Sequence, residues 1–370
     1  MSETTAAAAP GQGRRRHSHA DAYAALDLGT NNCRLLIAAP APHGFRVLEA
    51  YSRIVRLGEG LTRTGRLDDG AMDRALAALR VCAEKLKRRR VTRLNAVATQ
   101  ACRLADNGKA FVEQVARETG LKLRIITPRE EARLSVAGCL ELLDPRAKAA
   151  LVIDVGGGST ELSWVDITDP RLNLDGKSRH PARLPIHAWT SIPVGVVTLA
   201  DDFPESAFGR GDRAQWYRAM VDSVKQRLSA VTYADRLRPV FAAGEAHLVG
   251  TSGAITSLAG LHLGLPRYER ARVDGLWMSR AECELAAERL LALDRDGRAA
   301  EPCIGPDRAD LVLAGAAILQ AVQEVWPCSR VRVADRGLRE GILLSLMSDR
   351  GRRRRKRRRF RKPAAAALPA

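Results

Sequence analysis

A pattern that occurs twice constrains the fold of this chain more than any other feature. An apolar strand ends in aspartate, a glycine-containing polar turn follows, and a second apolar strand resumes. The first copy turns between Asp27 and Asn32, and the second turns between Asp154 and Thr160, about 127 residues later. Each copy is typical of a hairpin, and the repetition indicates a duplicated core.

Alternating strand and helix patterns fill the rest of the chain, so we expect an α/β protein of two related halves. Apolar residues repeat at spacings of three and four over 71–90, which predicts an amphipathic helix. The segment 166–191 holds three prolines and is expected to be a connection or insertion. Further predicted helices cover 109–119, 213–231, 257–263, 280–292, 307–324 and 337–348, and predicted strands cover 45–57, 94–98, 123–126, 243–249 and 331–334.

The length of 370 residues is enough for two or three domains with substantial cores. No apolar run approaches the roughly 18 residues that a membrane-spanning helix needs. The N-terminal segment lacks a signal-peptide core, so we expect a cytoplasmic protein without membrane contact. The seven cysteines form no Cys-x-x-Cys pair, which favours reduced structural thiols over metal or redox chemistry.

The formal net charge of +18 is concentrated in one tail. The segment that begins at Arg350 and ends at Lys362 carries 11 cations in 13 residues, which leaves about +6 on the body of the chain. We expect the basic arm 1–21 and the Arg-rich tail 350–370 to be disordered, because neither can bury enough apolar surface. The tail either binds a polyanion, polyphosphate or RNA, or is a solvated charge run.

The first turn, from Asp27 to Asn32, places a carboxylate at a strand end and follows it with glycine and short polar side chains. Backbone amides of such a turn can converge on an anionic oxygen, because glycine allows a close approach. The alternative is that Asp27 caps its own turn.

The second turn has three consecutive glycines, Gly156 to Gly158, flanked by the carboxylates of Asp154 and Glu161. Glycines weaken a strand unless the backbone needs room for something close to it. Two carboxylates beside a pocket of amides suit a magnesium ion held next to phosphate oxygens. A flexible hairpin loop is the alternative.

A helix is predicted to begin at Pro128, where Thr127 and Glu130 have the spacing of a capping box. The capping role leaves the neighbouring Glu131, about 100° further round the helix, free to face a cleft. There Glu131 can act as a general base toward a water molecule. Alternatively, both glutamates only complement the helix dipole.

Two further features belong with these turns. Arg103 follows a predicted strand and is either a phosphate clamp, which suits the guanidinium fork, or a surface arginine. A third polar turn precedes a predicted helix and either holds an anion or nucleotide edge at that helix N-terminus or simply joins strand to helix. It consists of Gly250, Thr251, Ser252 and Gly253.

Together these segments resemble the exopolyphosphatase/guanosine pentaphosphate phosphatase family, within the superfamily of sugar kinases, actin and the heat-shock chaperone ATPases. The matching stretches follow in order over nearly the whole body of the chain, at 26–31, 99–107, 130–134, 154–161, 193–199, 250–253 and 337–341. The resemblance implies an α/β fold of two ribonuclease H-like (actin-like) domains flanking an active-site cleft. Domain I would cover 22–127 and be completed by the helix 337–348, and domain II would cover 128–336.

Carried over onto matching positions, the resemblance implies that Glu131 orients the attacking water. Asp154 and Glu161 would hold a magnesium or manganese ion and its waters. The implied phosphate-binding residues are Asp27, Gly29, Thr30, Asn31, Arg103, Gly156, Gly157, Gly158, Ser159 and Thr160.

This chain departs from the family pattern at several places. Thr30 and Asn32 stand where the family usually has serine, and Thr198 stands where many relatives carry arginine. Long relatives also have extra C-terminal helical domains, so the resemblance is to a short, two-domain form.

Three functions follow as hypotheses. The first is a metal-dependent exopolyphosphatase that releases orthophosphate from the ends of inorganic polyphosphate. The second is a guanosine pentaphosphate phosphohydrolase, which cleaves the same kind of bond on a nucleotide. The third is a non-catalytic sensor that binds a nucleotide or polyanion. Whether the chain acts as a monomer or a homodimer stays open.

Overall fold

A computed structural model describes residues 21–42, 44–170, 172, 184–207 and 212–359, with side chains described up to Ser348. Within these residues the chain forms two mixed β-sheets with helices packed on them. The predicted basic arm, apart from Asp21, and the tail beyond Arg359 lie outside the described residues.

The first sheet has five strands in the order β3-β2-β1-β4-β5. Strand β2 is antiparallel to both of its neighbours, whereas β1, β4 and β5 are parallel. The strands are β1 Tyr23–Leu28, β2 Asn32–Pro40, β3 Phe45–Ile54, β4 Arg93–Ala98 and β5 Arg124–Ile125.

Four helices accompany this sheet, and the longest shows why they form. In that helix, α2, Asp68 caps the N-terminus by accepting a hydrogen bond from the Ala71 amide, and a basic last turn complements the helix dipole. Its buried face, with Leu76 and Leu79, belongs to the apolar core on this side of the sheet. The helices are α1 Leu61–Thr64, α2 Asp69–Arg88, α3 Gln100–Leu104 and α4 Gly108–Thr119.

The second sheet repeats the plan with one more strand, in the order β10-β11-β9-β6-β7-β8. Strand β7 is antiparallel to β6 and β8, and β6, β9 and β11 are parallel. The strands are β6 Ala149–Val155, β7 Thr160–Asp166, β8 Ile186–Ile192, β9 Ala246–Thr251, β10 Trp277–Ser279 and β11 Arg330–Ala334.

The core on one face of the second sheet contains Trp164 and Trp326, which are fully buried with ring centroids 5.1 Å apart and ring planes inclined by 59°. Helix α13 lies inside this core and is apolar on nearly every side. The helices of this region are α6 Val196–Asp202, α7 Arg213–Ser229, α8 Arg238–Ala242, α9 Gly253–His262, α10 Arg270–Val273, α11 Arg280–Ala292, α12 Arg295–Ala300 and α13 Val312–Val325.

Two helices connect the sheets, α5 Pro128–Cys139 and α14 Leu338–Arg359. They cross so closely that a Cβ atom at Gly138 would overlap the backbone of Gly337, and one at Gly341 would overlap the Leu134 backbone. Although α14 follows the second sheet in the chain, its residues Ile342 and Leu343 belong to an apolar cluster with β1, β2 and β4 of the first sheet.

The predicted α/β fold class is confirmed, because two mixed sheets with helices packed on them repeat one strand–turn–strand plan. All seven cysteines are buried free thiols. No helix in the described ranges is both long and apolar enough to cross a membrane.

Three local predictions differ from the structure. The segment 166–191 was expected to be only a connection, yet β8 begins within it at Ile186. Disorder was expected from residue 350, whereas α14 continues to Arg359. The helix predicted over 257–263 begins earlier, at Gly253, because Ser252 caps it by accepting a hydrogen bond from the Ile255 amide.

Candidate active site

The two predicted turns have the same backbone geometry. In the first turn the Gly29 amide donates to the Asn32 carbonyl at 2.8 Å, and in the second the Gly156 amide donates to the Ser159 carbonyl, also at 2.8 Å. The turns therefore occupy equivalent positions in the two sheets.

The backbone carbonyl groups of the first turn accept hydrogen bonds from the segment that follows β3. The Asn31 carbonyl accepts from the amides of Val55 and Arg56 at 2.9 and 3.0 Å, and the Thr30 carbonyl accepts from Gly58 at 2.9 Å. With these oxygens paired, the amides of Thr30 and Asn31 have no acceptor among the described residues.

The carbonyls of the second turn are occupied by the N-terminus of α6. The amide of Val196 donates to the Gly156 carbonyl at 2.9 Å, and that of Val197 donates to the Gly157 carbonyl at 2.8 Å. The amides of Gly157 and Gly158 likewise find no acceptor in the described part of the chain. Unpaired amides in a glycine turn form an anion-binding concavity.

The two turns touch each other across the cleft. A Cβ atom at Gly157 would lie 3.0 Å from the Asn31 amide nitrogen and 3.0 Å from the Thr30 Cβ atom. One at Gly158 would overlap the side-chain amide of Gln100. The glycines predicted from the sequence as room for a ligand thus also make room for the opposite turn.

A cavity of about 260 Å³ lies between the turns. Most of the predicted site residues line it: Asp27, Gly29, Thr30, Asn31, Glu131, Asp154, Gly156, Gly157, Gly158, Ser159, Glu161, Thr251, Ser252 and Gly253. The structure therefore brings both domain faces, the first turn of α5 and the N-terminus of α9 to one space.

Glu131 is 8% exposed in the first turn of α5. Arg103 donates from Nη1 to Glu131 Oε2 at 3.3 Å and to the Ile126 carbonyl at 2.8 Å, which fixes the position of the carboxylate. Burial, and then the negative charges of Glu161, Asp154 and Asp27, raise the pKa of Glu131 well above its usual value, while Arg103 opposes the rise.

The helix cap beside Glu131 is only half of the predicted capping box. Thr127 Oγ1 accepts from the Glu130 amide at 3.2 Å, as expected. The Glu130 carboxylate, however, accepts two hydrogen bonds from the Arg124 guanidinium, each at 2.7 Å. A bidentate arginine pair competes successfully with the return bond to the helix cap.

Three further carboxylates around the cavity hold protons more tightly than usual. Burial raises the pKa of Asp27 to about 6, although Arg34 and Arg339 oppose the rise. Burial also raises the pKa of Asp154, and burial together with Asp154 raises the pKa of Glu161 to about 7. Asp154 accepts from Ser135, and Glu161 accepts from the Ser191 hydroxyl at 2.7 Å.

The unpartnered oxygen atoms around the cavity fit a hard divalent cation. Asp27 Oδ1, Asn31 Oδ1 and Gln100 Oε1 are buried without a hydrogen-bond partner among the described residues, and all three residues line the cavity. Oxygen atoms of this kind are the ligands that Mg²⁺ prefers, and Mg²⁺ shared with phosphate needs only one or two carboxylates. Within the described ranges, no three His, Cys, Asp or Glu residues form a group that could hold a metal ion by themselves.

Three predicted site residues lie away from the cavity lining. Arg103 holds Glu131 and Ile126 instead of facing the space where phosphate would bind. Thr160 is fully buried, and its hydroxyl donates to the Val194 carbonyl at 2.7 Å. Gly250 serves packing, because a Cβ atom there would lie 2.8 Å from the Ile255 side chain.

Sequence reasoning missed several cavity residues, including four cations, two acidic residues, an amide and a tyrosine: Arg34, Arg308, Arg336, Arg339, Asp335, Glu340, Gln100 and Tyr268. Arg34 could have been found, since the hairpin register pairs it with Asp27 as Glu161 is paired with Asp154. A Cβ atom at Gly253 would lie within 3.9 Å of the Arg34 and Arg308 guanidinium groups, so both cations reach the α9 N-terminus.

Comparison with known proteins identifies relatives of this chain. The model of the Ppx/GppA phosphatase family matches residues 36–350. Exopolyphosphatase 2 of Mycobacterium tuberculosis is 30% identical over 87% of this chain and 98% of the relative. The guanosine-5'-triphosphate,3'-diphosphate pyrophosphatase of Aeromonas hydrophila is 28% identical over 88% of this chain, but only 60% of that longer relative is covered.

Among solved structures, the Aquifex aeolicus member of the Ppx/GppA family is similar with a TM-score of 0.68 and 26% identity. The similarity covers 89% of this chain and 98% of that one. The two-domain arrangement is therefore shared over nearly the whole described body.

Proposed function

Because the chain belongs to the Ppx/GppA phosphatase family, we propose that it is an exopolyphosphatase that hydrolyses the terminal phosphoanhydride bond of inorganic polyphosphate and releases orthophosphate. Like its family it acts on phosphoanhydride bonds; the choice of polyphosphate is our proposal. The observation that carries it is one cavity that joins the unpaired amides of both turns to the Glu131 carboxylate.

In this proposal the terminal phosphoryl group lies in the cavity that both turns line. Amides of Thr30 and Asn31 on one side, and of Gly157 and Gly158 on the other, donate to its oxygens. Phosphoryl transfer needs positioning and charge stabilisation more than covalent help from the protein. Preorganised amides supply both, because their carbonyl ends are already held by the protein.

Glu131 orients the attacking water and accepts its proton. A general base is most effective when its pKa lies near the working pH, and burial moves the pKa of Glu131 in that direction. Arg103 keeps the carboxylate in one orientation, so its acceptor oxygen is in place before the substrate arrives.

Asp154 and Glu161 are the residues that would hold a magnesium or manganese ion, with Asp27 and Asn31 on the opposite wall. When bound, the ion supplies positive charge that neutralises phosphate oxygens. The arginines of the cavity add further positive charge. Arg34, Arg308 and Arg339 form no ion pair with another described residue, so their guanidinium groups remain able to bind phosphate oxygens.

One observation favours a guanosine pentaphosphate as the alternative substrate. Tyr268 is the single aromatic residue in the cavity lining within the described ranges, and it is 36% exposed. A polyphosphate chain has no flat group to stack on a ring, whereas a purine base does.

A phosphate-release assay with magnesium tests both candidates. Polyphosphates of several lengths, guanosine pentaphosphate and ATP are compared in the wild-type chain and in Tyr268→Ala. An exopolyphosphatase releases phosphate fastest from polyphosphate and is insensitive to the substitution. A loss confined to guanosine pentaphosphate would favour the nucleotide, and binding without release of phosphate from any substrate would favour a sensor.

Two further proposals concern the Arg-rich tail and the cellular location of the protein. We propose that the tail recruits polyanions to a cytoplasmic enzyme. Deletion after Asp349 should then weaken salt-dependent binding of polyphosphate or RNA. Unchanged affinity for both would show that the tail is only a solvated charge run.

A further inference from the structure

An ion pair joins the two domains at the mouth of the cleft. Arg56 follows β3 of the first sheet, and Asp310 precedes α13 on the second. Arg56 Nη2 lies 2.9 Å from Asp310 Oδ2 and 3.2 Å from Oδ1. Both side chains are about one-third exposed, so water reaches the pair.

Both partners are held firmly by their own domains. Val55 and Leu57, the neighbours of Arg56, are buried in the core of the first domain. Leu311 and Val312, which follow Asp310, are buried in the core of the second. The distance between Arg56 and Asp310 therefore depends on the separation of the two domain cores and not on the motion of two mobile side chains.

Arg56 also reaches the phosphate turn of its own domain. Its backbone has φ +48°, in the left-handed region that residues other than glycine seldom adopt. In this conformation its amide joins that of Val55 in donating to the Asn31 carbonyl. One residue thus holds the back of the first turn and extends its side chain across the cleft.

Asp310 is connected to the second turn by a parallel route. The carbonyl of Ala309, its neighbour, accepts at 2.9 Å from Arg298, which is 1% exposed. Arg298 also pairs with Glu205, just beyond α6, the helix whose N-terminal amides hold the second turn. Contacts therefore lead from each partner of the ion pair to the turn of its own domain.

Resting on the proposed function, we propose that the Arg56–Asp310 pair is a latch that holds the cleft closed on bound phosphate. Arg56 is a positioning residue in this proposal: closure fixes the orientation of the Thr30 and Asn31 amides through its backbone. Partly exposed ion pairs contribute little free energy, which suits a contact that must break whenever substrate enters or phosphate leaves.

Two single variants separate the latch from the backbone. Asp310→Asn removes the charge and keeps the shape. Arg56→Gly removes the side chain, and glycine retains the left-handed backbone without strain. We expect each to raise the KM for polyphosphate about fivefold with less than a twofold change in kcat, because binding contacts shared by substrate and transition state affect KM. The double variant should be no worse than either single variant.

Glu284→Gln is the matched control. It breaks the Arg280–Glu284 pair, which has comparable exposure and a 2.7 Å contact but lies within α11. This control should leave KM unchanged. The difference between wild type and Asp310→Asn should shrink at about 1 M salt, where screening acts within roughly 3 Å.

Hydrogen exchange of the two turns, with inorganic phosphate as the probe, gives a readout independent of turnover. Phosphate should protect both turns in wild type and in Glu284→Gln, and protect them less in Asp310→Asn and Arg56→Gly. Equal KM and equal protection in all four proteins, or additive losses in the double variant, would overturn the latch. If wild type bound phosphate but hydrolysed no polyphosphate, the proposed function would fail while the exchange result still decided on the latch.

Discussion

Asp27 and Asp154 occupy equivalent positions in the two sheets, yet their cross-strand partners carry opposite charges. The register pairs Asp27 with Arg34 in the first hairpin and Asp154 with Glu161 in the second. Both hairpins keep the same glycine turn and the same unpaired amides. The two hairpins therefore share their backbone geometry and differ in the charge at one equivalent side-chain position.

The charge difference alters what each turn needs. Arg34, the cross-strand partner of Asp27, lowers the pKa of Asp27 against the effect of burial, and it also lowers the pKa of Asp154 across the cleft. In the second turn Asp154 adds to burial in raising the pKa of Glu161. Two buried carboxylates that repel each other are stabilised by an external cation. The repulsion between Asp154 and Glu161 therefore supports the proposal that these two carboxylates would hold the metal ion.

The largest expected effect comes from the group that belongs to neither turn. Glu131→Gln should lower phosphate release about 10²- to 10⁴-fold, because it removes the proposed general base. Both sets of amides remain, so polyphosphate affinity should stay within about twofold. Phosphate release and equilibrium binding are measured on the same preparation.

Two other outcomes of the Glu131→Gln experiment would contradict this prediction. Turnover close to wild type in Glu131→Gln would show that another carboxylate of the cavity activates the water. A loss of binding equal to the loss of turnover would mean that Glu131 contributes to the phosphate site itself.

The paired positions 34 and 161 give the sharpest test of the comparison. Glu161→Gln should raise the magnesium concentration needed for half-maximal activity by about 10- to 100-fold. The substitution would remove either a direct ligand of the proposed ion or a group that holds one of its water ligands. Arg34→Gln should instead raise KM for polyphosphate and leave the magnesium requirement unchanged. Titrations of magnesium and of substrate distinguish the two patterns, and identical patterns would remove the proposed division of labour.

Equivalent glycines should differ in tolerance. A Cβ atom at Gly156 would lie 2.9 Å from the Ser159 carbonyl oxygen, whereas one at Gly29 would lie 3.4 Å from the Asn32 oxygen, an ordinary contact. Gly156→Ala is expected to lower activity about tenfold and destabilise the fold by about 1–3 kcal/mol through overpacking. Gly29→Ala should be nearly neutral in both thermal unfolding and activity. The reverse order would show that the turns are less alike than their hydrogen bonds indicate.

The smallest effect concerns Arg103, which acts through Glu131. Its charge lowers the pKa of Glu131 against the larger effect of burial. Arg103→Gln should therefore raise that pKa and move the acid limb of the rate profile upward by about one pH unit. The base must be ionised, so activity at low pH falls while the plateau changes little. Arg103→Lys keeps the charge and should keep the limb near its wild-type position.

Much of this arrangement could be predicted from the sequence because its strongest signals are local. Hairpin alternation, glycine clusters and the Thr127 cap act over a few residues, and the structure has β1, β2, β6, β7 and the start of α5 where they were expected. Repetition of the hairpin added the relation between the halves. Positions of Asp27, Asp154 and Glu131 around one cavity follow from these elements.

The two wrong side-chain predictions, Arg103 and Thr160, concern which partner the side chain contacts and which way it faces. Nothing local tells whether Arg103 faces phosphate or the Glu131 carboxylate, and the choice depends on how α3 approaches α5. Thr160 alternates with Glu161 along β7, so one faces the core and the other the cavity. That alternation was readable in the sequence, and it could have excluded Thr160.

Helix α14 has a consequence for how the chain is made. Tyr23 and Ala25, among the earliest described residues, share an apolar cluster with Ile342 and Leu343, near the end of the body. A ribosome synthesises the first sheet long before the helix that covers it. Until the last part of the body emerges, the face of the sheet that α14 covers is exposed to water, and transiently exposed apolar surface of this kind favours aggregation.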